Sequence, residues 1–230
     1  MHFQHSSEIW SEFPELSAGV LFVDGISKDV SVADRLTPFH RTADARLAAS
    51  SEGEFPEIRA WRRAFSTMGL KPTQYRCASE SLLRRFRKEG SLPEIHPLID
   101  LCNAVSLAYA IPVAVFDASR IGGGLEVRHA VGDESYLTFS GQTETPEVGE
   151  VVFADDARNA HARRWTNRQS AHSAARDATS TVLIVAEGLH DSAIADVQNL
   201  TFTIADELDT TWTVKSQQAQ LSRSAPRFEF

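Results

Sequence analysis

The chain has 230 residues, of which 42% are hydrophobic and 23% charged, with a formal net charge of −8. That apolar share can build a core and excludes global disorder, and the length suits one α+β domain or two small ones. The longest mainly apolar run, Leu107–Phe116, is broken by Pro112 and falls short of the ~20 residues a membrane helix needs, and Met1–Ser7 has neither the basic nor the apolar region of a signal peptide, so a cytoplasmic location is expected.

In chain order, residues 1–15 read as a loose lead-in with a first turn near Glu8–Phe13. Leu16–Asp24 carries the run Gly19-Val20-Leu21-Phe22-Val23 and reads as a buried strand closed by Asp24-Gly25. The Ala/Ser-rich stretch Arg46–Gly53 reads as a short helix or loop. Glu57–Met68 places Ile58, Trp61 and Phe65 at spacings of three and four, which predicts an amphipathic helix that Gly69 stops. Ser79–Glu89 repeats the pattern with Leu82, Leu83 and Phe86 inward and ends at Gly90. Pro97–Ala110 follows, with Pro97 suited to a first turn and Leu98, Leu101, Cys102 and Val105 on one stripe. After Pro112 the period becomes two. Val113–Phe116, Leu125–Ala130, Tyr136–Phe139, Val151–Ala154 and Val182–Ala186 read as strands. Ser192–Trp212 carries Ile194, Val197, Leu200, Ile204, Leu208 and Trp212, and predicts a long helix packed on the sheet. Helices grouped before a run of strands indicate an α+β fold rather than alternating βα units.

Few of the chemistry-bearing residues fall into a known spacing. Cys77 and Cys102 match no metal motif and read as reduced, buried apolar residues. His40, His96, His129, His161, His172 and His190 are scattered, with no helical pair to hold zinc and no assembled Ser-His-Asp set. Gly122-Gly123-Gly124 reads as a turn between strands, not a phosphate loop, because no helix follows. Of the 23 basic residues only Lys28, Lys71, Lys88 and Lys215 are lysine, and the rest are arginine. Arg62, Arg63, Arg84, Arg85, Arg87 and Lys88 lie on two adjacent helices with Arg76 between them. They are either ordinary solvated faces or a salt-sensitive patch for an RNA backbone. The densest segment is Arg163-Arg164-Trp165-Thr166-Asn167-Arg168-Gln169-Ser170. Its arginines suit phosphate or carboxylate, and Trp165 either stacks a base or anchors a solvated loop in the core.

Several of these segments occur in a recognisable order. The helix His96–Ser106 contains Asp100-Leu101-Cys102-Asn103. Then come Ile111-Pro112, Phe116-Asp117, the glycine turn, Leu125-Glu126-Val127-Arg128-His129-Ala130 and Thr138-Phe139-Ser140-Gly141. Strands ending in Asp155 and Glu187 close the series. This resembles the tRNA-editing B-three/B-four domain of the phenylalanyl-tRNA synthetase β subunit over roughly Phe13 to Leu189. It looks closer still to freestanding members, which share an Arg-Arg helix like Leu82–Arg85 and an Arg-Arg-Trp…Arg-Gln-Ser segment like Arg163–Ser170.

The resemblance implies a mixed or antiparallel β-sheet, sandwich-like core flanked by helices in a single compact domain. It implies a lead-in over 1–15, an editing-type tRNA-binding domain over 16–190, an amphipathic helix over 191–215 packed on it, and a flexible tail over 216–230. It also implies a trans-editing hydrolase that binds the tRNA 3′ end and cleaves a mischarged aminoacyl ester without cofactor or metal. The implied partner is the acceptor end, not DNA or a membrane, and the oligomeric state stays open. Glu187 falls at the specificity glutamate and Asn103 at the pocket asparagine. Asn103 reads equally well as an internal hydrogen-bonder. Cys102 replaces the preceding threonine, Ala114 stands where the water-positioning histidine would be, and Arg163–Ser170 replaces a glycine-rich loop.

The candidate catalytic set is therefore Glu187, Asn103, Gln169 and Ser170. The candidate substrate- and RNA-binding set is Arg168, Arg164, Trp165, Arg76, Arg84 and Arg85, with Arg168 on the 3′-terminal phosphate. His161 and His172 flank the segment as further candidate bases. The same scaffold could instead serve a non-catalytic module for tRNA or an amino-acid-like ligand, or an enzyme acting on an unrelated substrate.

Overall fold

A computed structural model describes residues 1–230. The strands are β1 His2–His5, β2 Ser17–Val23, β3 Val113–Asp117, β4 Gly124–His129, β5 Tyr136–Leu137, β6 Thr143–Glu144, β7 Val151–Asp155, β8 Ala160–Arg163, β9 Arg168–Gln169, β10 Val182–Gly188, β11 Gln217–Leu221 and β12 Arg227–Glu229. The helices are α1 Ser7–Glu12, α2 Ala33–Ala49, α3 Pro56–Thr67, α4 Ala78–Glu89, α5 Pro97–Tyr109 and α6 Ala193–Trp212.

A four-stranded sheet in the order β11-β2-β10-β3 is antiparallel throughout. A six-stranded sheet in the order β12-β1-β4-β7-β8-β9 is mixed, because β1 runs parallel to β4. Strand β10 shows why the two stack. All seven of its residues are buried, so both of its faces are covered. Leu183 and Val185 join Val20, Phe116, Val127 and Phe153 in the core between the sheets. Val182, Ile184 and Ala186 alternate to the opposite face, where α5 and α6 lay Leu98, Leu101, Val105, Val197, Leu200 and Ile204 against them. Close approach of α6 is set by Gly19. A Cβ there would collide with Thr201 Cγ2 and sit 2.8 Å from Val197 Cγ1. The result is a single α+β domain with a sandwich-like core flanked by helices.

The termini depart from expectation. Residues 2–5, read as lead-in, form a strand with Phe3 and His5 buried, and α1 is capped by Ser6 Oγ, which accepts from Ile9 N. Residues 216–230, read as a flexible tail, supply β11 against β2 and β12 against β1. Their short polar alternation carries little signal alone, and pairing partners from the far end of the chain hold them. Helix α2 was legible only in its last residues. Ala43 is its one fully buried side chain and Pro38 lies inside it, so no apolar stripe marks it. Ion pairs fix it instead, Arg35 to Glu207 at 2.6 Å and Arg46 to Glu57 at 2.8 Å. No helix is long and apolar enough to cross a membrane.

Candidate functional site

The alternation that sends Ala186 toward the helices sends Glu187 toward the six-stranded sheet, where the carboxylate is 2% exposed. A buried carboxylate needs partners. Glu187 Oε1 accepts from His5 Nε2 at 2.6 Å and from Trp165 Nε1 at 2.8 Å. No hydrogen bond reaches Oε2, and Glu187 lines a small cavity of about 60 Å³ between the sheets. His5 arrives from β1, 182 residues earlier in the chain. Its Nδ1 is buried without a partner, so the imidazole serves Glu187 alone.

Trp165 is fully buried, with its ring edge-on to Phe13 at 4.9 Å and to Trp61 at 5.0 Å. Its backbone, with that of Arg164, adopts the left-handed conformation, at φ +57 and +47. Two consecutive non-glycine residues there are unusual. The turn lets Trp165 N donate to Val151 O at 2.7 Å while the indole swings inward to Glu187.

The same turn builds the cavity mouth. Thr166, Asn167, Arg168 and Gln169 line it opposite Pro112, Val113 and Ala114. Gln169 Nε2 donates to Val115 O at 2.6 Å, and Asn167 Nδ2 donates to Arg76 O at 2.7 Å, so both walls are pinned. Thr166 Oγ1 is buried without a partner. Arg168 is half-exposed beside the mouth, 3.1 Å from Glu144 and over the Tyr136 ring. Arg164 lies over Tyr75, and Arg76 sits 3.4 Å from Glu80 and donates to Thr73 O.

The structure therefore gathers Glu187, Trp165, Arg168 and Gln169 around one cavity, with Arg76 bonded to its rim through Asn167. It leaves others out. Asn103 is half-buried on α5 and makes no side-chain hydrogen bond. That helix covers the opposite face of the four-stranded sheet from Glu187, so Asn103 does not line the cavity. Ser170 Oγ is turned away, donating to Leu137 O and accepting from His172 N. Arg84 and Arg85 lie away along α4. Arg84 is paired with Glu52, as is Arg87, and Arg85 with Glu89. Arg62 is paired with Glu80, so much of the basic surface is internally neutralised. Burial pushes the thiols of Cys77 and Cys102 up to about 12, which suits inert core residues.

Two contributors escaped sequence reasoning. His5 sits in a polar opening segment and pairs only across the whole chain. Thr166 lies inside the dense Arg/Trp segment, but nothing in its spacing singles it out. The glycine turn proves self-satisfied, because Gly122 N donates to Asp155 and Gly124 N to Asp156.

Residues 60–206 match the model of the B3/4 domain. The chain belongs to the B3/4 domain family. It is 25% identical over 142 residues to the phenylalanine–tRNA ligase β subunit of Photorhabdus laumondii, covering 60% of this chain and 18% of that protein. It is 32% identical over 141 residues to the same subunit of Coxiella burnetii, covering 59% and 17%. The match thus spans under a fifth of these relatives' length. An N-terminal fragment of the phenylalanyl-tRNA synthetase β subunit from Pyrococcus horikoshii aligns over 95% of this chain and 53% of that one, at TM-score 0.49 and 9% identity.

Proposed function

We propose that this B3/4 domain is an aminoacyl-tRNA editing hydrolase acting in trans. The amino acid's side chain enters the Glu187 cavity, and the tRNA 3′ end lies at the mouth beside Arg168, Arg164 and Arg76. The observation that carries the reading is the division of the Glu187 carboxylate. Oε1 is fixed by His5 and Trp165, while Oε2 is left free on a cavity wall. An immobilised carboxylate with one free oxygen on a cavity wall suits substrate recognition or general-base work.

In the hydrolysis, a water oxygen bonds to the ester carbonyl carbon and its proton passes to Glu187 Oε2. The carbonyl-to-ribose C–O bond then breaks, and the proton goes to the departing ribose oxygen. The products are a free amino acid and uncharged tRNA. Arg168 supplies a planar donor fork for the terminal phosphate.

The test is deacylation of a panel of misacylated tRNAs by wild type and Glu187→Ala. Faster release by wild type from at least one tRNA supports the proposal. Equal release by both proteins from every tRNA sinks it. A second reading, a binding module without turnover, is favoured by Ala114 on the cavity wall, where the family resemblance expects a histidine. It requires salt-sensitive tRNA binding with no release.

A further inference from the structure

We infer that Arg164, held over the ring of Tyr75, is the shelf on which the nucleobase of the RNA's 3′-terminal nucleotide stacks. This rests on the reading of the Glu187 cavity as the place where the esterified amino acid sits. Three observations carry it.

The first is what holds the guanidinium. Its neighbour Arg163 is buried and fully engaged by acids, with Glu150 on Nε and Nη2 and Glu144 on Nη1. Arg168 reaches Glu144 at 3.1 Å, and Arg76 lies 3.4 Å from Glu80. Arg164 differs from all three. It meets Glu150 only through its backbone N–H, and its half-buried guanidinium lies 4.8 Å from the Tyr75 ring centroid with no carboxylate paired to it. An aromatic face positions this cation, and a carboxylate positions the others. Tyr75 covers one face of the guanidinium and leaves the other for a second flat group.

The second is that the shelf is preformed. Arg164 and Trp165 are both left-handed, at φ +47 and +57. At Trp165 that conformation delivers the indole to Glu187, and at Arg164 it delivers the side chain to the loop before α4. Tyr75 is anchored on that loop. Its backbone N donates to Lys71 O at 2.9 Å, and its ring packs against the core between the sheets. A rigid stack takes up a base with little further ordering.

The third is placement. Asn167 N donates to Arg164 O at 3.1 Å, and Asn167 Nδ2 donates to Arg76 O at 2.7 Å. Asn167 lines the cavity mouth, so Arg164 and Tyr75 stand one link outside it. An amino acid in the cavity puts its ribose at that mouth. From the ribose, the base leaves through C1′ and the 5′-phosphate through C4′ and C5′, so the two need separate supports. Arg168 supports the phosphate, and Arg164 on Tyr75 supports the base. Stacking engages the face of a base and not its edge, so the shelf requires a base without selecting which.

The experiment uses a short RNA hairpin with a single-stranded 3′ end, whose terminal nucleotide carries adenine, uracil or no base. Affinity is measured over a salt series for wild type, Arg164→Lys, Arg164→Ala and Tyr75→Leu. Removing the base should weaken binding to wild type about tenfold, the loss of one stacked base, while adenine and uracil differ much less. Arg164→Lys keeps the charge and removes the plane. It should bind the adenine RNA about tenfold more weakly than wild type, bind the abasic RNA equally well, and keep the salt slope. Tyr75→Leu should do the same, and Arg164→Lys carries the test alone if that variant fails to fold. Equal binding of adenine and abasic ends by wild type overturns the shelf. So does an Arg164→Lys protein that matches wild type while Arg164→Ala weakens both RNAs and lowers the salt slope by about one, since Arg164 then holds a phosphate. Ester release is read separately. Base-dependent binding without release sustains the shelf and removes the editing reading. Release that ignores the terminal base overturns the shelf and spares that reading, and failure to bind any RNA end overturns both.

Discussion

Two buried histidine–carboxylate pairs lie between and beside the sheets, and they are wired differently. In one, His161 on β8 bonds Asp155 on β7 at 3.1 Å through Nε2 and Ser173 at 2.7 Å through Nδ1. Asp155 also accepts from the backbone of Gly122 and from both nitrogens of Asn159. Every polar atom has a partner, and Ser173 and His161 are fully buried, so the set of serine, histidine and aspartate is closed to any substrate. In the other, His5 and Glu187 leave Nδ1 and Oε2 unpartnered, and Glu187 faces a cavity. A saturated network locks structure, whereas one with a free valence facing space has chemistry to offer. The residue types are nearly the same, and the count of satisfied atoms separates scaffold from site.

The contrast is broken most severely at Asp155. Replacing it with alanine strips His161 of its carboxylate partner, leaving only Ser173, and frees two backbone N–H groups, and stability should fall by about 3–5 kcal/mol in urea unfolding. A loss under ~1 kcal/mol would mean the network is not the lock described. Glu187→Gln should behave oppositely. The amide oxygen still accepts from His5 and Trp165, so unfolding should shift by less than about 1 kcal/mol. Ester release should drop about 100-fold. A variant that unfolds early but keeps its activity would reverse the two roles.

A gentler cut is His5→Phe, which keeps an aromatic ring against Phe3 and Trp10 but withdraws one donor from Oε1. Losing one hydrogen bond to a carboxylate, about 1.5–3 kcal/mol, should lower kcat about tenfold or more and leave tRNA affinity unchanged. Trp165 still holds the carboxylate. A drop in affinity with constant kcat would place His5 at the RNA surface instead.

Which of these networks could be read beforehand follows from distance along the chain. Helices α3, α4, α5 and α6 and strands β2, β3, β4, β7 and β10 announce themselves because periodicity is local. Glu187 was legible as the end of an apolar strand, and the Arg163–Ser170 segment by its density of side-chain chemistry. His5 was not, since its meaning comes from β1 pairing with β4 and β12, neither of which is near in sequence. Asn103 lies away from the cavity, which the sequence does not reveal, because a helix stripe tells which residues turn inward but not which face of which sheet they meet. The Asp155–His161–Ser173 lock was hidden because β8 lies in an Ala/Arg/Asn stretch with no strand-like alternation.

Acid should separate the pairs more mildly. Burial pushes His161 below its ordinary value, against the pull of the Asp155 hydrogen bond. Asp155 is raised by burial, but the hydrogen bonds from His161, Asn159 and Gly122 outweigh this and hold it well below the carboxylate range. Both groups therefore bind more protons unfolded than folded, so stability rises with pH through their windows. For His161 the contribution is complete above about pH 6.5 and lost as pH falls toward its folded value. For Asp155 the loss begins near pH 4. Each group contributes at most about 1.4 kcal/mol per pH unit inside its window. Unfolding midpoints between pH 8 and 5 should fall for wild type and flatten in His161→Gln, and parallel profiles would show that another group governs the acid limb.

The smallest effect expected is at the mouth, and it concerns charge rather than the buried pairs. In this acidic protein Arg62 on α3 and Arg84, Arg85 and Arg87 on α4 are already paired with Glu80, Glu52 and Glu89, which leaves Arg59 and Arg63 as the unpaired arginines of these two helices. Its log–log salt dependence for tRNA should be shallow, corresponding to about two or three phosphates. Arg168→Ala should weaken binding and reduce that slope by about one, whereas Arg85→Ala, remote on α4 and paired with Glu89, should leave it unchanged. A steep slope lowered equally by both variants would mean that the helices, and not the rim of the Glu187 cavity, hold the RNA. The cavity would then lie outside the bound acceptor end.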